Sequence, residues 1–319
     1  MDGVSSMNFA VALQMDPIED VDISADSTFA IALEGQARGH KLFHYLPQHL
    51  TLDRGRLVAR GRNLELRRKA DDFYTLGPET TLDLSSMDVI LMRQDPPFDM
   101  AYITATRLLE HVHPQTLVVN DPASVRNAPE KLLVTQFPNL MPPTLITSDH
   151  SLVTQFRSEY RDIIIKPLFG NGGVGVFHVG PNDENLSTLI EMFAVTWKEP
   201  MMVQQYLPAV RDGDKRIILI DGEAMGAINR VPPAGEARAN MHVGARAEPT
   251  ELTDQERKIC NTIGPSLKDQ GLVFVGIDVI GGHLTEINVT SPTGLQEYER
   301  FSGISLSARI WESIEAKRN

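Results

Sequence analysis

Two stretches of the chain carry residue types suited to chemistry on phosphates. In Ile163-Ile164-Ile165-Lys166-Pro167 a lysine stands inside an apolar run, and Gly170-Asn171-Gly172-Gly173-Val174-Gly175 follows it closely. A buried ammonium is costly unless it meets an anion. Glycine amides can close over phosphate oxygens with no side chain in the way. The letters match a dinucleotide fingerprint, but that motif needs a helix after the loop. Residues 174–179 are apolar and rich in valine, so they read as a second strand and the loop as a glycine hairpin. No G-x-x-x-x-G-K-[ST] occurs, which excludes a P-loop.

The second stretch is Val275-Gly276-Ile277-Asp278-Val279-Ile280-Gly281-Gly282-His283-Leu284-Thr285-Glu286-Ile287-Asn288. Glu286 and Asn288 are two apart on a strand and share a face. A two-residue Gly281-Gly282 turn would set Asp278 opposite Thr285 and split the acids across faces. A three-residue turn, 281–283, sets Asp278 opposite Glu286 and Ile277 opposite Ile287, with Val279 opposite Thr285. The apolar pattern favours the second register. Two carboxylates and an amide oxygen on one face suit Mg²⁺ with phosphate ligands. Arg216, Arg230, Arg238 and Arg246 cluster nearby in sequence and could balance anions there. Lys131 alone would read as a solvated helix lysine.

These residues need a frame. Residues 9–15, 41–46, 87–93 and 116–120 read as strands and 26–38 and 101–111 as helices. That alternation implies a parallel sheet. Residues 57–66 look like part of a hairpin. Four prolines between 121 and 143 mark a crossing between units. Strands at 144–147, 162–168, 175–179 and 201–206, with helices at 151–160 and 184–195, form a compact α+β unit. A hairpin around Asp221-Gly222 follows. Residues 230–249 have no periodicity and read as a functional or mobile loop. Thr253-x-x-Glu256 is a capping box that starts a helix running to about Gln270. A terminal helix covers about 306–317.

Composition narrows the class. With 319 residues, about two domains are expected. The 30 basic and 42 acidic residues leave a net charge of −12, which argues against nucleic acid or an anionic membrane as the main partner. One cysteine, Cys260, excludes a disulfide framework and fits a reducing cytoplasmic setting. Its helical spacing with Ile263 and Leu267 makes it a core residue. The nine histidines show no metal grouping, so zinc is not expected. No membrane span and no secretory signal is readable.

Strand lysine, glycine hairpin and an Asp…Glu-x-Asn hairpin, in that order, resemble the ATP-grasp superfamily. Met15-Asp16-Pro17-Ile18, Asp88 to Arg93, Asp95-Pro96-Pro97-Phe98-Asp99, Asn120, Glu130-Lys131-Leu132, Lys166-Pro167-Leu168, Gln205 to Ala209, Asp212 to Arg216 and Leu284 to Thr293 resemble bacterial-type glutathione synthetases. The resemblance runs from about Met7 to the end, and Met7 stands as an alternative start. It implies an N-terminal parallel-sheet domain over 1–127, a central ATP-grasp lid over 128–205 and a C-terminal ATP-grasp part over 206–319 with the metal hairpin.

The implied activity is ATP-dependent ligation of γ-glutamylcysteine to glycine through an acyl phosphate. The implied cation is Mg²⁺, with Mn²⁺ able to substitute, held by Asp278, Glu286 and Asn288. Lys131 and Lys166 would hold phosphates under the lid residues Gly170, Asn171, Gly172, Gly173 and Val174. Gln205, Tyr206 and Leu207 would meet adenine, with Asp214, Lys215 and Asn240 completing the nucleotide site. Arg216 would stabilise the oxyanion, assisted by Arg230 and Arg238. Asp16, Arg93, Asp95, Ser291 and Thr293 would contact substrate. A cytoplasmic homo-oligomer, a tetramer, is implied too. In two places the chain departs from the family: Asn171 replaces a methionine, and the long loop reads His242-Val243-Gly244-Ala245-Arg246 where relatives have a glycine-rich stretch. The rival enzyme class is another ATP-grasp carboxylate–amine ligase, of D-alanine–D-alanine or peptide-tailoring type. The rival outside catalysis is a silent ATP-binding regulator, against which the intact Lys166, Arg216, Asp278, Glu286 and Asn288 argue.

Overall fold

A computed structural model describes residues 8–236, 238–241 and 244–318; Met7, His242 and Val243 lie outside the described residues. Sixteen strands are described. In chain order they are β1 (Ala10–Gln14), β2 (Lys41–Tyr45), β3 (Leu50–Asp53), β4 (Arg56–Leu66), β5 (Tyr74–Asp83), β6 (Val89–Met92), β7 (Leu117–Val119), β8 (Thr144–Thr147), β9 (Ile163–Pro167), β10 (Phe177–Val179), β11 (Met201–Gln205), β12 (Asp214–Ile220), β13 (Glu223–Val231), β14 (Arg246–Pro249), β15 (Phe274–Ile280) and β16 (His283–Asn288). The helices are α1 (Ser27–Ala37), α2 (Met100–Leu109), α3 (Pro122–Asn127), α4 (Glu130–Leu133), α5 (His150–Tyr160), α6 (Leu186–Thr196), α7 (Asp254–Asp269), α8 (Leu295–Ser302) and α9 (Leu306–Arg318), with short 3₁₀ turns between.

The strands form three sheets. The first is mixed. β2, β1, β6 and β7 run parallel, but β3, β4 and β5 are antiparallel to their neighbours. The parallel strands expected from the sequence are the core of this sheet, and the hairpin expected around 57–66 adds the antiparallel part. Helices α1 and α2 lead into β2 and toward β7, which permits parallel crossovers, whereas short turns join β3, β4 and β5 and allow only antiparallel pairing. The second sheet has the order β10-β9-β11-β8 and the third β14-β13-β12-β15-β16, both antiparallel. The loop expected over 230–249 is shorter, because Val231 pairs with Arg246 and its flanks are strand.

Local signals set the helix ends. The Asp26 carboxylate caps α1 by accepting from Phe29 N–H, and Thr253 and Glu256 make the reciprocal box at the start of α7. Cys260 is buried on α7, and burial beside Glu256 pushes its thiol up to about 11, leaving it a core side chain. Among the described residues no helix is long and apolar enough to cross a membrane.

The cores follow the sheets. Two apolar clusters each draw residues from both the first and third sheets, for example Ile90 with Ile277, and Leu91 with Ile218. A third cluster, Val153 to Val203, is drawn from the second sheet and its helices. Asn120, just after β7, joins the first sheet to the third. Its Nδ2 donates to the carbonyls of Phe274 and Val289 at 2.8 Å, and its Oδ1 accepts from Phe274 N–H at 2.9 Å. Replacing Asn120 by alanine leaves these buried backbone groups short of partners. The Asn120→Ala variant is expected to lose about 2–4 kcal/mol of stability, read as a lower urea midpoint; an unchanged midpoint would contradict the joint.

Candidate functional site

The hairpin β15–β16 sets the centre. Asp278 lies opposite Glu286 and Ile277 opposite Ile287, as the apolar pattern predicts. The means differ from the expected three-residue turn. Ile280 pairs with His283, so the turn is Gly281-Gly282 with positive φ of 55° and 79°. Val279 pairs with Leu284, which leaves Thr285 as the extra residue of a bulge beside Asp278. A two-residue turn of this kind matches strand twist, and the bulge restores the facing of the acids. Thr285 Oγ1 donates to the Asp278 carbonyl at 3.1 Å and pins the bulge.

Asp278 is buried, and guanidiniums surround its carboxylate. Arg216, its cross-strand neighbour on β12, donates from Nε to Oδ1 at 2.6 Å and from Nη2 to Oδ2 at 3.1 Å. Arg230 Nη2 lies 2.9 Å from Asp278 Oδ1 and 2.7 Å from Asp214 Oδ2. Burial alone would raise the Asp278 carboxyl, but Arg216 and Arg230 outweigh it and hold the group well below the carboxylate range. Asp214 goes the other way: burial, with repulsion from Asp278, pushes it up to about 6 against the pull of Arg230.

Glu286 has a second pair of cations. Its Oε1 lies 3.5 Å from Lys166 Nζ and 3.7 Å from Lys131 Nζ. These contacts are long for charge-assisted hydrogen bonds, so both lysines are held only loosely by Glu286. Burial raises the Glu286 carboxyl, but Lys131 and Lys166 outweigh it and its pKa falls. Burial also lowers the Lys166 ammonium, with Lys131 adding repulsion and Glu286 opposing it. Lys131 Nζ donates to the Gly170 carbonyl at the mouth of the glycine loop.

Three cavities meet here. Lys166, Gln205, Tyr206, Leu207, Asp214 and Asn240 line one of about 700 Å³. Its apolar walls, Ile164, Val176, Val210 and Ile280, are suited to a flat base. A second, of about 870 Å³, has Lys131, Arg216, Arg230, Glu286 and Asn288 facing residues 170–174 of the glycine loop. A third, of about 1370 Å³, is lined by Asp16, Arg93, Asp95, Ser291 and Thr293. Asn240 and Glu286 border the first two cavities, and Asp95, Met241, Ser291 and Thr293 the last two, so the three form one cleft.

One residue singled out in the sequence stands elsewhere. Lys215 lies between Asp214 and Arg216 on β12 and therefore faces away from them. Its Nζ donates to Glu256 Oε2 and to the Glu251 carbonyl, each at 2.8 Å, tying the sheet to α7 instead of reaching the cleft. Arg238 lines the first cavity, where two neighbours hold it. Glu236, two residues earlier, captures its guanidinium at 2.7 and 2.9 Å, and Nη1 donates to the Gly173 carbonyl at 3.2 Å. It holds the glycine loop. Ile164, Val176, Val210, Ile280 and Met241 were missed in the sequence. Ile164 was findable, since it alternates onto the face of Lys166; Met241 carried no signal.

The donor set fits a hard divalent cation. Asp278 and Glu286 oppose one another, with Asn288 two positions on from Glu286. The 3.4 Å contact from Asn288 Nδ2 to Asp278 Oδ2 is the weakest around that carboxylate, and the one a cation would displace. Among the described residues no group of three or more His, Cys, Asp or Glu side chains converges, so the donors here are two carboxylates and one amide.

Comparison with known proteins covers nearly the whole chain. The family model for the prokaryotic glutathione synthetase N-terminal domain matches residues 9–126, and that for the prokaryotic glutathione synthetase ATP-grasp domain matches 130–303. A glutathione synthetase of Brucella melitensis is 58% identical over 312 residues, 98% of this chain and 100% of the relative. One from Agrobacterium fabrum is 57% identical over 309 residues, 97% of each chain. Among solved structures, the D-cycloserine synthetase DcsG is similar with TM-score 0.70 at 15% identity, over 97% of this chain and 100% of that one. The ATP-grasp ligase PsnB is similar with TM-score 0.64 at 17% identity, with the same coverage. At these identities the two structures bear on the fold.

The two faces of β12 can be separated by substitution. Lys215→Met should leave turnover and the KM for ATP within about twofold while costing about 1–3 kcal/mol of stability, because Glu256 loses its charged partner. Steady-state kinetics and urea unfolding check this, and a collapse of turnover with unchanged stability would return Lys215 to the cleft.

Proposed function

The chain belongs to the prokaryotic glutathione synthetases, and from that membership we infer how its residues divide the reaction among them. It is an ATP-dependent ligase that makes glutathione. One observation carries the assignment of roles: two opposed carboxylates, each flanked by two cations, lie beside a glycine loop. We propose the modules 1–127, 128–205 and 206–319, with nucleotide between the second and third.

In this reading Lys131 and Lys166 leave Glu286 and take the ATP phosphates, which are the stronger anions. The amides of 170–174 close over them, and residues 205–207 meet adenine through their backbone. Asp278, Glu286 and Asn288 hold Mg²⁺, for which Mn²⁺ can substitute. Bound there, the cation would neutralise phosphate oxygens in the transition state. The cysteine carboxylate of γ-glutamylcysteine attacks the γ-phosphorus and ADP leaves, giving an acyl phosphate. The glycine amine then attacks that carbonyl carbon. Inorganic phosphate departs with the bonding electrons and the amine releases a proton. Arg216 stabilises the oxyanion, and Arg230 holds both Asp214 and Asp278 in place around it. No protein nucleophile is needed, in keeping with a single buried cysteine. The dipeptide occupies the cavity of Asp16, Arg93, Asp95, Ser291 and Thr293. A cytoplasmic tetramer, with neither nucleic acid nor membrane as partner, completes the proposal; the one cysteine and the acidic net charge support the compartment and the partners.

Phosphate release tests the substrates. γ-Glutamylcysteine with glycine should support turnover and D-alanine should not; the reverse would favour the D-alanine–D-alanine class. Arg216→Ala should lower kcat by a factor on the order of 10², measured by glutathione formation at saturating substrates. A change confined to KM would contradict its role on the oxyanion.

A further inference from the structure

The wall carrying Asp95 and the glycine loop belong to different parts of the fold, and they face one another across the same cavity. Just outside that cavity two aromatic rings meet. Phe98 and Phe169 stack with centroids 6.3 Å apart and planes 10° from parallel.

The two partners differ in how firmly they are held. Asp95 N–H donates to Asp16 Oδ2 at 2.8 Å. Asp99 caps α2 by accepting from Tyr102 N–H at 2.9 Å. Between them Phe98 packs on the buried Tyr102, at 5.2 Å. The segment 95–99 is therefore pinned at both ends and presents Phe98 as a platform. Phe169 is the last side chain before the glycine loop and is 37% exposed. Beyond it Gly172, Gly173 and Gly175 adopt positive φ, the left-handed region open to glycine. The apolar cluster of the second sheet contains no residue from the first. Adhesion between the lid and the Asp95 wall therefore rests on local contacts such as this one.

We propose that the Phe98–Phe169 stack is a latch that holds the glycine loop closed against the substrate wall; this rests on the reading of the cleft given above. Neither ring is a catalytic residue. Both act as positioning residues, through the loop that covers the phosphates. With the latch closed, glycine is the nucleophile that reaches the acyl phosphate. With it open, water attacks instead and returns the free dipeptide carboxylate and inorganic phosphate, so ATP is spent without product.

The test is the stoichiometry of ADP to glutathione in Phe98→Ala, Phe169→Ala, the double variant and Phe169→Tyr. The wild type should give one ADP per glutathione. Each alanine variant should exceed two and raise the KM for ATP about three- to tenfold, in line with loss of one aromatic pair. The double variant should be no worse than either single one, and Phe169→Tyr, which keeps the ring, should stay near one. Thermal unfolding of each variant separates loosening of the lid from loss of fold. Unit stoichiometry with unchanged KM in Phe169→Ala, or additive effects in the double variant, would overturn the latch while leaving an active wild type. Absence of glutathione from the wild type would instead fail the functional reading, and the latch with it.

Discussion

The buried carboxylate of Asp278 is the interaction on which the rest of the site depends. A carboxylate taken out of water needs its charge met, and here two guanidiniums meet it. In doing so it fixes Arg216 and Arg230, which would otherwise repel one another in a cleft meant for anions. Glu286, directly opposite, does the same more loosely for Lys131 and Lys166. The difference in tightness follows from distance: 2.6–3.1 Å around Asp278 against 3.5–3.7 Å around Glu286. The arginines are tightly paired and the lysines loosely, which is why the proposed reading gives the nucleotide phosphates to the lysines.

Much of this was legible in the sequence because it rests on period-two alternation. Ile277 and Ile287 could not both be buried unless Asp278 faced Glu286, and that argument held even though the turn is shorter than expected. What alternation could not show was where the extra residue sits, since an added turn residue and a bulge at Thr285 restore the same facing. The same rule, had it been applied to β12, would have turned Lys215 away from Asp214 and Arg216. Arg238 is a different case: its capture by Glu236 depends on a local turn that residue types alone do not specify. The apolar walls of the first cavity were hidden because Ile164, Val210 and Ile280 come from three separate strands or turns and meet only in the fold.

The division of cores gives the cleft its mechanics. First and third sheets share two apolar clusters and a clamp through Asn120, so they form one rigid floor. The second sheet has a cluster of its own. In the proposed reading this unit is the lid: with its own core it can shift without tearing the floor, and contacts such as Lys131 to the Gly170 carbonyl, Arg238 to the Gly173 carbonyl and Phe98 to Phe169 then decide how it sits. The net charge of −12 is thereby reconciled with anionic ligands, because the cations are gathered where the lid and floor meet.

The central claim is that Asp278 and Glu286, brought face to face by the hairpin register, form a single site for a divalent cation. Electron paramagnetic resonance of Mn²⁺ in the presence of ADP tests it most directly, since free and bound ion are counted separately. One bound Mn²⁺ per chain is expected for the wild type, with the bound signal lost in Glu286→Gln and in Asp278→Asn at metal levels that saturate the wild type. Undiminished binding in both variants would contradict the account.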